Sequence, residues 1–439
     1  MNTTSRKRQR KLLHGRLRPS DLVQNAFSLM ISSAGTAGLG IIFWALATRL
    51  EKPNFVGQAS AEIAAMVLLS GLSQMGFGST FERFLPIAGK QSRALVLRGY
   101  SLCVCMSLFL AIGYIMLGFG HRFIVDDIEG QVVFVLAVLS WTIFGLQDAV
   151  MIALRSSRFV PVENILYSAF KLLLLPILVS FSSIQGIFLS WITPVYLALV
   201  GVSWYLFRHR IPNHMRDTAT SVPLPPLRKI AVLATGGYVT SILNIFLTSV
   251  VALVIVTRLG PTQSAYFYLP AMIAVALSQL LWNVNISFLV EASTTPAEMA
   301  RHIKSTVRVT GLIVVPSIVL GEILAPQILD IFGASYSHHG TVLLRILLVS
   351  VLGTIVTEFY SALAWLDQRV WWLAARELFS LVIYLSVLLM CIGHLGINAA
   401  GVAALTSSTL QAIFFLPSSI RKYRAATGQN STLGPTTTD

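Results

Sequence analysis

Charged residues are scarce in this chain. Asp, Glu, Lys and Arg make up 11% of 439 residues, where a soluble domain carries about a quarter. With hydrophobic residues at 55%, that scarcity excludes an ordinary water-facing surface. Cysteine is scarce too. Cys103, Cys105 and Cys391 all fall inside apolar runs, which argues against a disulfide framework or a cysteine-rich zinc site. The signatures of soluble catalysis are missing: no P-loop, HExxH, GxSxG or CxxC. Without a P-loop the chain has no usual means of hydrolysing ATP. Transport by it would run on an ion gradient, the membrane potential or the gradient of its own cargo. Acid is short relative to base, 18 residues against 32, for a net charge of +14. In a soluble protein that excess would suggest nucleic acid. Here the basic residues lie between apolar runs, so membrane topology accounts for them and nucleic acid is not an expected partner.

What is present is a series of apolar runs of about 20 residues, the length that crosses a bilayer. They lie near 22–48, 57–87, 95–119, 131–154, 162–181 and 186–207, and again near 230–257, 263–291, 305–325, 341–363, 370–393 and 397–418. The expected fold is all-α: a polytopic integral membrane protein of about twelve transmembrane helices. Its parts are a basic tail (1–21), a first six-helix bundle (22–207), a linker (208–229) with Pro212, Pro223, Pro225 and Pro226, a second bundle (230–418) and a polar, Thr-rich tail (419–439) expected to be disordered.

Charge placement tests this layout. With the N-terminus in the cytoplasm, cytoplasmic segments hold 26 of the 32 Lys and Arg residues. Arg49, Lys52, Arg122, Arg258 and Arg345 fall on the other side and Lys171 within a span. A miscounted span would swap every later loop, so both termini are expected to be cytoplasmic, in the cytoplasmic membrane.

An internal repeat points the same way. Thr48-Arg49-Leu50 ends the first span and Thr257-Arg258-Leu259 the seventh. Glu82 and Glu291 each follow their arginine by 33 residues, Asp148 matches Glu358, and Gly186-Ile187 matches Gly396-Ile397. Offsets of 209–210 in consistent order imply a 6+6 duplication. Six is even, so the halves are parallel repeats, two bundles around a central cleft.

Ionisable residues inside spans are costly, and each is a functional candidate. Lys171 is the most interior. It either faces the cleft to meet an anionic group, pairs with Glu163 or Asp148, or snorkels to headgroups. Asp148 and Glu358 are candidates for cation coupling or an inner gate, with salt bridges to Arg155, Arg158 or Arg369 as the alternative. Glu62 is either a coupling carboxylate or an interfacial side chain in water. Arg49 and Arg258 close matched spans and suit an outer gate, a phosphate contact or a lipid anchor. Glu82 and Glu291 read as inner latches. Asn283 and Asn285 flank Val284, so one can face the cleft, although helix packing is the commoner use. Pro176, Pro194, Pro270 and Pro316 fall within spans and can free carbonyls to line a cavity. Trp371, Trp372, Tyr266 and Tyr268 fit an interfacial belt, and His338-His339 a solvated loop. None of these calls for a metal or a cofactor.

Several segments carry a family resemblance. Ala47-Thr48-Arg49-Leu50 leads into Phe55-Val56-Gly57-Gln58-Ala59-Ser60. Met75-Gly76-Phe77-Gly78 and Phe84-Leu85-Pro86 follow, then Ile331-Phe332-Gly333-Ala334-Ser335-Tyr336, Leu395-Gly396-Ile397-Asn398 and Gly401-Val402-Ala403-Ala404. Over about 25–418 this pattern resembles the polysaccharide (O-antigen-type) flippase branch of the multidrug/oligosaccharidyl-lipid/polysaccharide exporter superfamily. The resemblance implies a V-shaped pair of six-helix bundles with a cleft lined by spans one, two, seven and eight. It also implies an undecaprenyl-pyrophosphate-linked glycan as cargo, moved from the inner to the outer leaflet. Many relatives have a basic cavity; on those four spans only Arg49 and Arg258 match charged positions here.

The expected function is therefore transport, not catalysis: flipping of a lipid-linked oligosaccharide or cell-envelope polysaccharide precursor by alternating access. The expected partners are that lipid-linked glycan, the bilayer, and glycosyltransferases or a polymerase of the same pathway. One alternative is a cation-coupled multidrug antiporter, for which Glu62 is the available outer acid. Another is a membrane glycan polymerase or glycosyltransferase, whose sole acidic cluster would be Asp126-Asp127-Glu129.

Overall fold

A computed structural model describes residues 19–120, 128–154, 156, 159–182, 185–217, 227–294, 299–366 and 370–426. The side chains of 19–34, 217, 227–237, 286–287, 290–291, 293–294, 370, 419 and 422–426 are outside that description. The described chain is helical throughout. The first half contains α1 (Pro19–Leu50), α2 (Pro53–Ser73), the short α3 (Phe77–Phe84), α4 (Ser92–Met116), α5 (Ile128–Ala153), α6 (Phe159–Phe181) and α7 (Gly186–Tyr205). A π-turn, Leu206–Arg210, leads into α8 (Ile211–Asp217). The second half contains α9 (Leu227–Leu259), α10 (Pro261–Thr294), α11 (Met299–Asp330), α12 (Ala334–Leu366), α13 (Val370–Leu395) and α14 (Asn398–Ala426).

Among the described residues eleven helices are long and apolar enough to cross a membrane. The twelfth expected span corresponds to α1, whose described apolar part is the shorter Gly35–Leu50. Large apolar side chains face outward on several helices, among them Phe109, Phe181 and Met390, each more than 70% exposed. Lipid, not water, suits such a surface.

The halves repeat each other in packing. In the first, α1 packs on α6, α2 on α5, α4 on α5, α5 on α7 and α6 on α7. In the second, α9 packs on α13, α10 on α12, α11 on α12, α12 on α14 and α13 on α14. Each contact in one list has its counterpart in the other, giving two parallel six-helix bundles. They meet chiefly along α2, which packs on both α9 and α10.

The sequence permits this close approach at one position in particular. A Cβ on Gly57 would overlap the carbonyl oxygen of Pro261. Further along, Tyr238 donates its hydroxyl proton to the carbonyl of Leu72 at 2.8 Å.

Three boundaries differ from expectation. Span two is not continuous over 57–87: α2 stops at Ser73, and Met75 and Gly76 turn left-handed (φ 47° and 76°) before α3 begins. That conformation suits glycine and strains methionine. The expected linker begins instead as helix. Buried Leu206 and Ile211 pack with Phe81, Leu85, Val96 and Tyr100 and hold the π-turn and α8 against the first bundle; residues 218–226 of the linker are outside the described set. The helix of α14 runs to Ala426, into the stretch expected to be an irregular tail. The basic N-terminal residues, Arg122, Arg155, Arg158, Arg369 and Asp126-Asp127 are also outside the described residues.

Candidate functional site

One buried polar feature is a lysine in an aromatic box. α6 carries Glu163, Tyr167 and Lys171 at four-residue spacing, which aligns them on one face. Lys171 is only 4% exposed. Its ammonium lies 3.7 Å from the ring centre of Trp191, 5.1 Å from Tyr167 and 5.3 Å from Phe43. Aromatic faces are negative, so three of them compensate a cation that has left water. Phe43 and Trp44 are neighbours on α1, and Trp44 reaches across to Tyr268 of α10, with ring centres 4.6 Å apart. Tyr167 donates its hydroxyl proton to the backbone carbonyl of Trp191 at 3.2 Å. The box is thus built from the first bundle and touches the second through Tyr268.

This corrects two readings. Lys171 does not pair with Glu163 or Asp148, since no ion pair or hydrogen bond forms on its ammonium among the described residues. The separation is physical: Glu163 is eight residues earlier on α6, about 12 Å along the axis. Nor do Tyr266 and Tyr268 form an interfacial belt. Tyr266 is buried and stacks on His339, with centres 4.5 Å apart, while Tyr268 caps the box. Residue type alone does not separate a belt tyrosine from a cleft tyrosine; only the packing of α1 on α10 does.

The other candidates spread around the molecule. Arg49 reaches across the halves and donates to the carbonyls of Asp330 and Ile331 at 3.2 and 3.0 Å. Those carbonyls end α11, where a cation is favoured by the helix dipole. Arg258, its repeat counterpart, is exposed and makes no such bond, so the symmetry of position is not a symmetry of contact. Neither arginine reaches the box.

Glu62 is 5% exposed with Oε2 unpartnered. It is a buried carboxylate, not an interfacial one in water, because α2 is enclosed by helices of both halves. Asn285 bonds the Leu281 carbonyl of its own helix at 3.1 Å and so does not bridge helices; Asn283 is half-buried. Glu82 is exposed on α3. The side chain of Glu291 lies outside the described residues.

Asp148 and Glu358 have different surroundings despite their matched positions. Glu358 faces Arg376 of α13 at 3.4 Å, and Arg376 also binds Glu377. Among the described residues the partner of Glu358 is therefore Arg376, one turn or more into the span; Arg369 lies outside them. Asp148 has no ion pair among the described residues.

The helix order and the paired bundles decide the architecture. The fold is similar to that of solved MATE transporters. An outward-facing multidrug resistance MATE family transporter of the MOP superfamily has a TM-score of 0.62 at 14% identity, covering 92% of this chain and 96% of that one. A MATE in complex with MaL6 gives the same values. A MOP superfamily transporter from Pyrococcus furiosus, described by the reverse polarity of its binding pocket, has a TM-score of 0.57 at 13% identity, covering 92% and 95%. No model of a protein family and no curated protein matches this sequence.

Proposed function

We propose that this chain is a membrane transporter that moves an anionic lipid-linked oligosaccharide or polysaccharide precursor between leaflets by alternating access of its two bundles. The observation that carries this reading is the buried Lys171 in its box of Phe43, Tyr167 and Trp191, beside the junction of the bundles. A cation at that depth is costly unless function uses it. A phosphate headgroup can take the ammonium from the rings, and the aromatic faces then offer stacking surface to sugar. The lipid tail stays in the bilayer. The likeness of the fold to solved transporters supports a carrier, and for one of these, from Pyrococcus furiosus, the reverse polarity of its binding pocket suggests a different function. The basic residues at the predicted cytoplasmic end would gather anionic headgroups there.

The test is leaflet distribution of a lipid-linked glycan in vesicles containing the purified chain, with and without Lys171→Met. Flipping is expected to fall at least tenfold in the variant. Equal flipping by both would sink the role of Lys171, and no flipping by the wild type would sink the cargo.

Buried Glu62 favours a second reading, a cation-coupled multidrug antiporter, because its free oxygen on α2 can hold a coupling cation. Cation-driven drug efflux lost in Glu62→Gln but kept in Lys171→Met would select it.

A further inference from the structure

A groove of about 370 Å³ runs between α6 and α7 on the outside of the first bundle. Its lining is apolar apart from Glu163, Tyr167 and Tyr205. Phe159 packs on Tyr205 at one end, with ring centres 5.5 Å apart. Phe170 of α6 and Pro194 of α7 line the other. Phe159 and Phe170 are eleven residues apart, about 16 Å along the helix axis. One leaflet of hydrocarbon is about 15 Å deep, so the groove is as long as one leaflet. Val162, Leu166 and Leu197 on its rim are each more than half exposed. A Cβ on Gly201 would meet nothing within 4 Å. The slot is open to lipid along its length.

Two features set this slot apart from a plain gap between helices. Glu163 lines it, and both carboxylate oxygens are buried without a hydrogen-bond partner. An acceptor left unpaired away from water is expensive, and a donor on a ligand would relieve it. The second feature is at the mouth. The chain continues past Tyr205 into Arg208 and His209, both exposed. His209 stands against Trp204 and Tyr205, with ring centres 5.0 and 6.2 Å away, which keeps this segment beside the groove. Arg208 forms no ion pair or hydrogen bond among the described residues. Its neighbour Arg210 is already engaged, donating to the Leu154 carbonyl at 2.8 Å. From its mouth inward the groove thus offers a cation, an aromatic pair, a carboxylate and an apolar wall.

We propose that this groove binds a lysophospholipid: a phosphate, a glycerol with one free hydroxyl and a single acyl chain. Arg208 and His209 take the phosphate by charge and hydrogen bonding. The free hydroxyl donates to Glu163, four residues inside Phe159 and so about 6 Å deeper. The chain lies along Gly201 and Ala198 towards Phe170. A diacyl lipid carries an ester where the lysolipid has its hydroxyl, and an ester brings one acceptor against another. Charge placement puts this end of α6 and α7 in the cytoplasm, so the lipid enters from the inner leaflet. Tyr167 is a wall of both the groove and the aromatic box, 5.1 Å from the Lys171 ammonium. The two sites adjoin, but the groove does not depend on which cargo the box takes.

The experiment uses the full chain purified in detergent, with bound lipid read by native mass spectrometry. The probes are oleoyl-lysophosphatidic acid, its analogue with the backbone hydroxyl methylated, and dioleoyl-phosphatidic acid. The wild type is expected to bind the lysolipid about tenfold more tightly than either comparison lipid, the worth of one hydrogen bond to a charged group. Glu163→Met is expected to erase that preference. Gly201→Leu fills open space, so it should abolish lysolipid binding and leave the melting temperature unchanged. Arg208→Ala is expected to weaken binding of all three lipids. Equal binding of the lysolipid and its methylated analogue by the wild type overturns the proposal, and that comparison needs no variant to fold. Undiminished binding by Gly201→Leu overturns it as well. The assay reads binding without flipping, so its outcome is distinct from that of the transport reading.

Discussion

The ammonium of Lys171 lies 3.7 Å from the centre of the Trp191 ring. A desolvated cation–π contact contributes about 2 kcal/mol, while a buried charge costs several kcal/mol. Lys171→Met is therefore expected to leave the melting temperature unchanged or raised. Trp191→Leu is expected to lower it. The double variant should reveal a coupling of about 0.5–2 kcal/mol; additive effects in the cycle would show that the two side chains do not interact.

The triad in the second bundle predicts the opposite sign. Arg376 is held between Glu358 and Glu377. Arg376→Leu leaves two buried carboxylates uncompensated and is expected to cost about 3–5 kcal/mol. Adding Glu358→Gln and Glu377→Gln should recover most of that loss. Denaturation of the single and triple variants checks both statements.

At the bundle interface, Gly57 faces a backbone oxygen and Gly71 a side chain. A Cβ on Gly57 meets the Pro261 carbonyl, whereas one on Gly71 meets Cδ1 of Ile245 at 2.9 Å. Ile245 can turn away and a peptide carbonyl inside a helix cannot. Gly57→Ala should destabilise by more than the ~1–3 kcal/mol of ordinary overpacking, and Gly71→Ala by less. Equal melting temperatures for the two would contradict the close approach.

Arg49 and Arg258 share a sequence position in the repeat but not a contact. Arg49→Ala removes the tie to the Asp330 and Ile331 carbonyls. Cysteines placed near Trp44 should then react faster with a water-soluble thiol reagent. Arg258→Ala should leave their reactivity unchanged.

Much of the fold was legible in the sequence. Apolar runs of bilayer length gave the helices, because in lipid the backbone must satisfy its own hydrogen bonds. The repeat offsets gave the pairing of the halves, which the duplicated helix contacts match. The break at Met75-Gly76 was not read, although Gly76 and the amphipathic Phe77–Phe84 were its signals. At the site, Lys171 stood out because charge in a span is rare. Its partners did not, since Phe43, Tyr167, Trp191 and Tyr268 are the residue types that also fill cores and interfaces. Glu163 sits on the same face of α6 as Lys171, yet it was weighed only as that lysine's counterion. Spacing along one helix cannot tell which face another helix covers.

By itself the sequence determined a helical membrane chain with a duplicated half, because length, hydropathy and repeat offset are properties of the chain alone. Only the tertiary structure decided that Lys171 is enclosed by aromatic rings. It likewise decided that Glu358 meets Arg376. Those pairings cross helices up to dozens of residues apart. The rotation of each helix about its axis, set by packing against its neighbours, fixes which buried charge finds a partner and which does not.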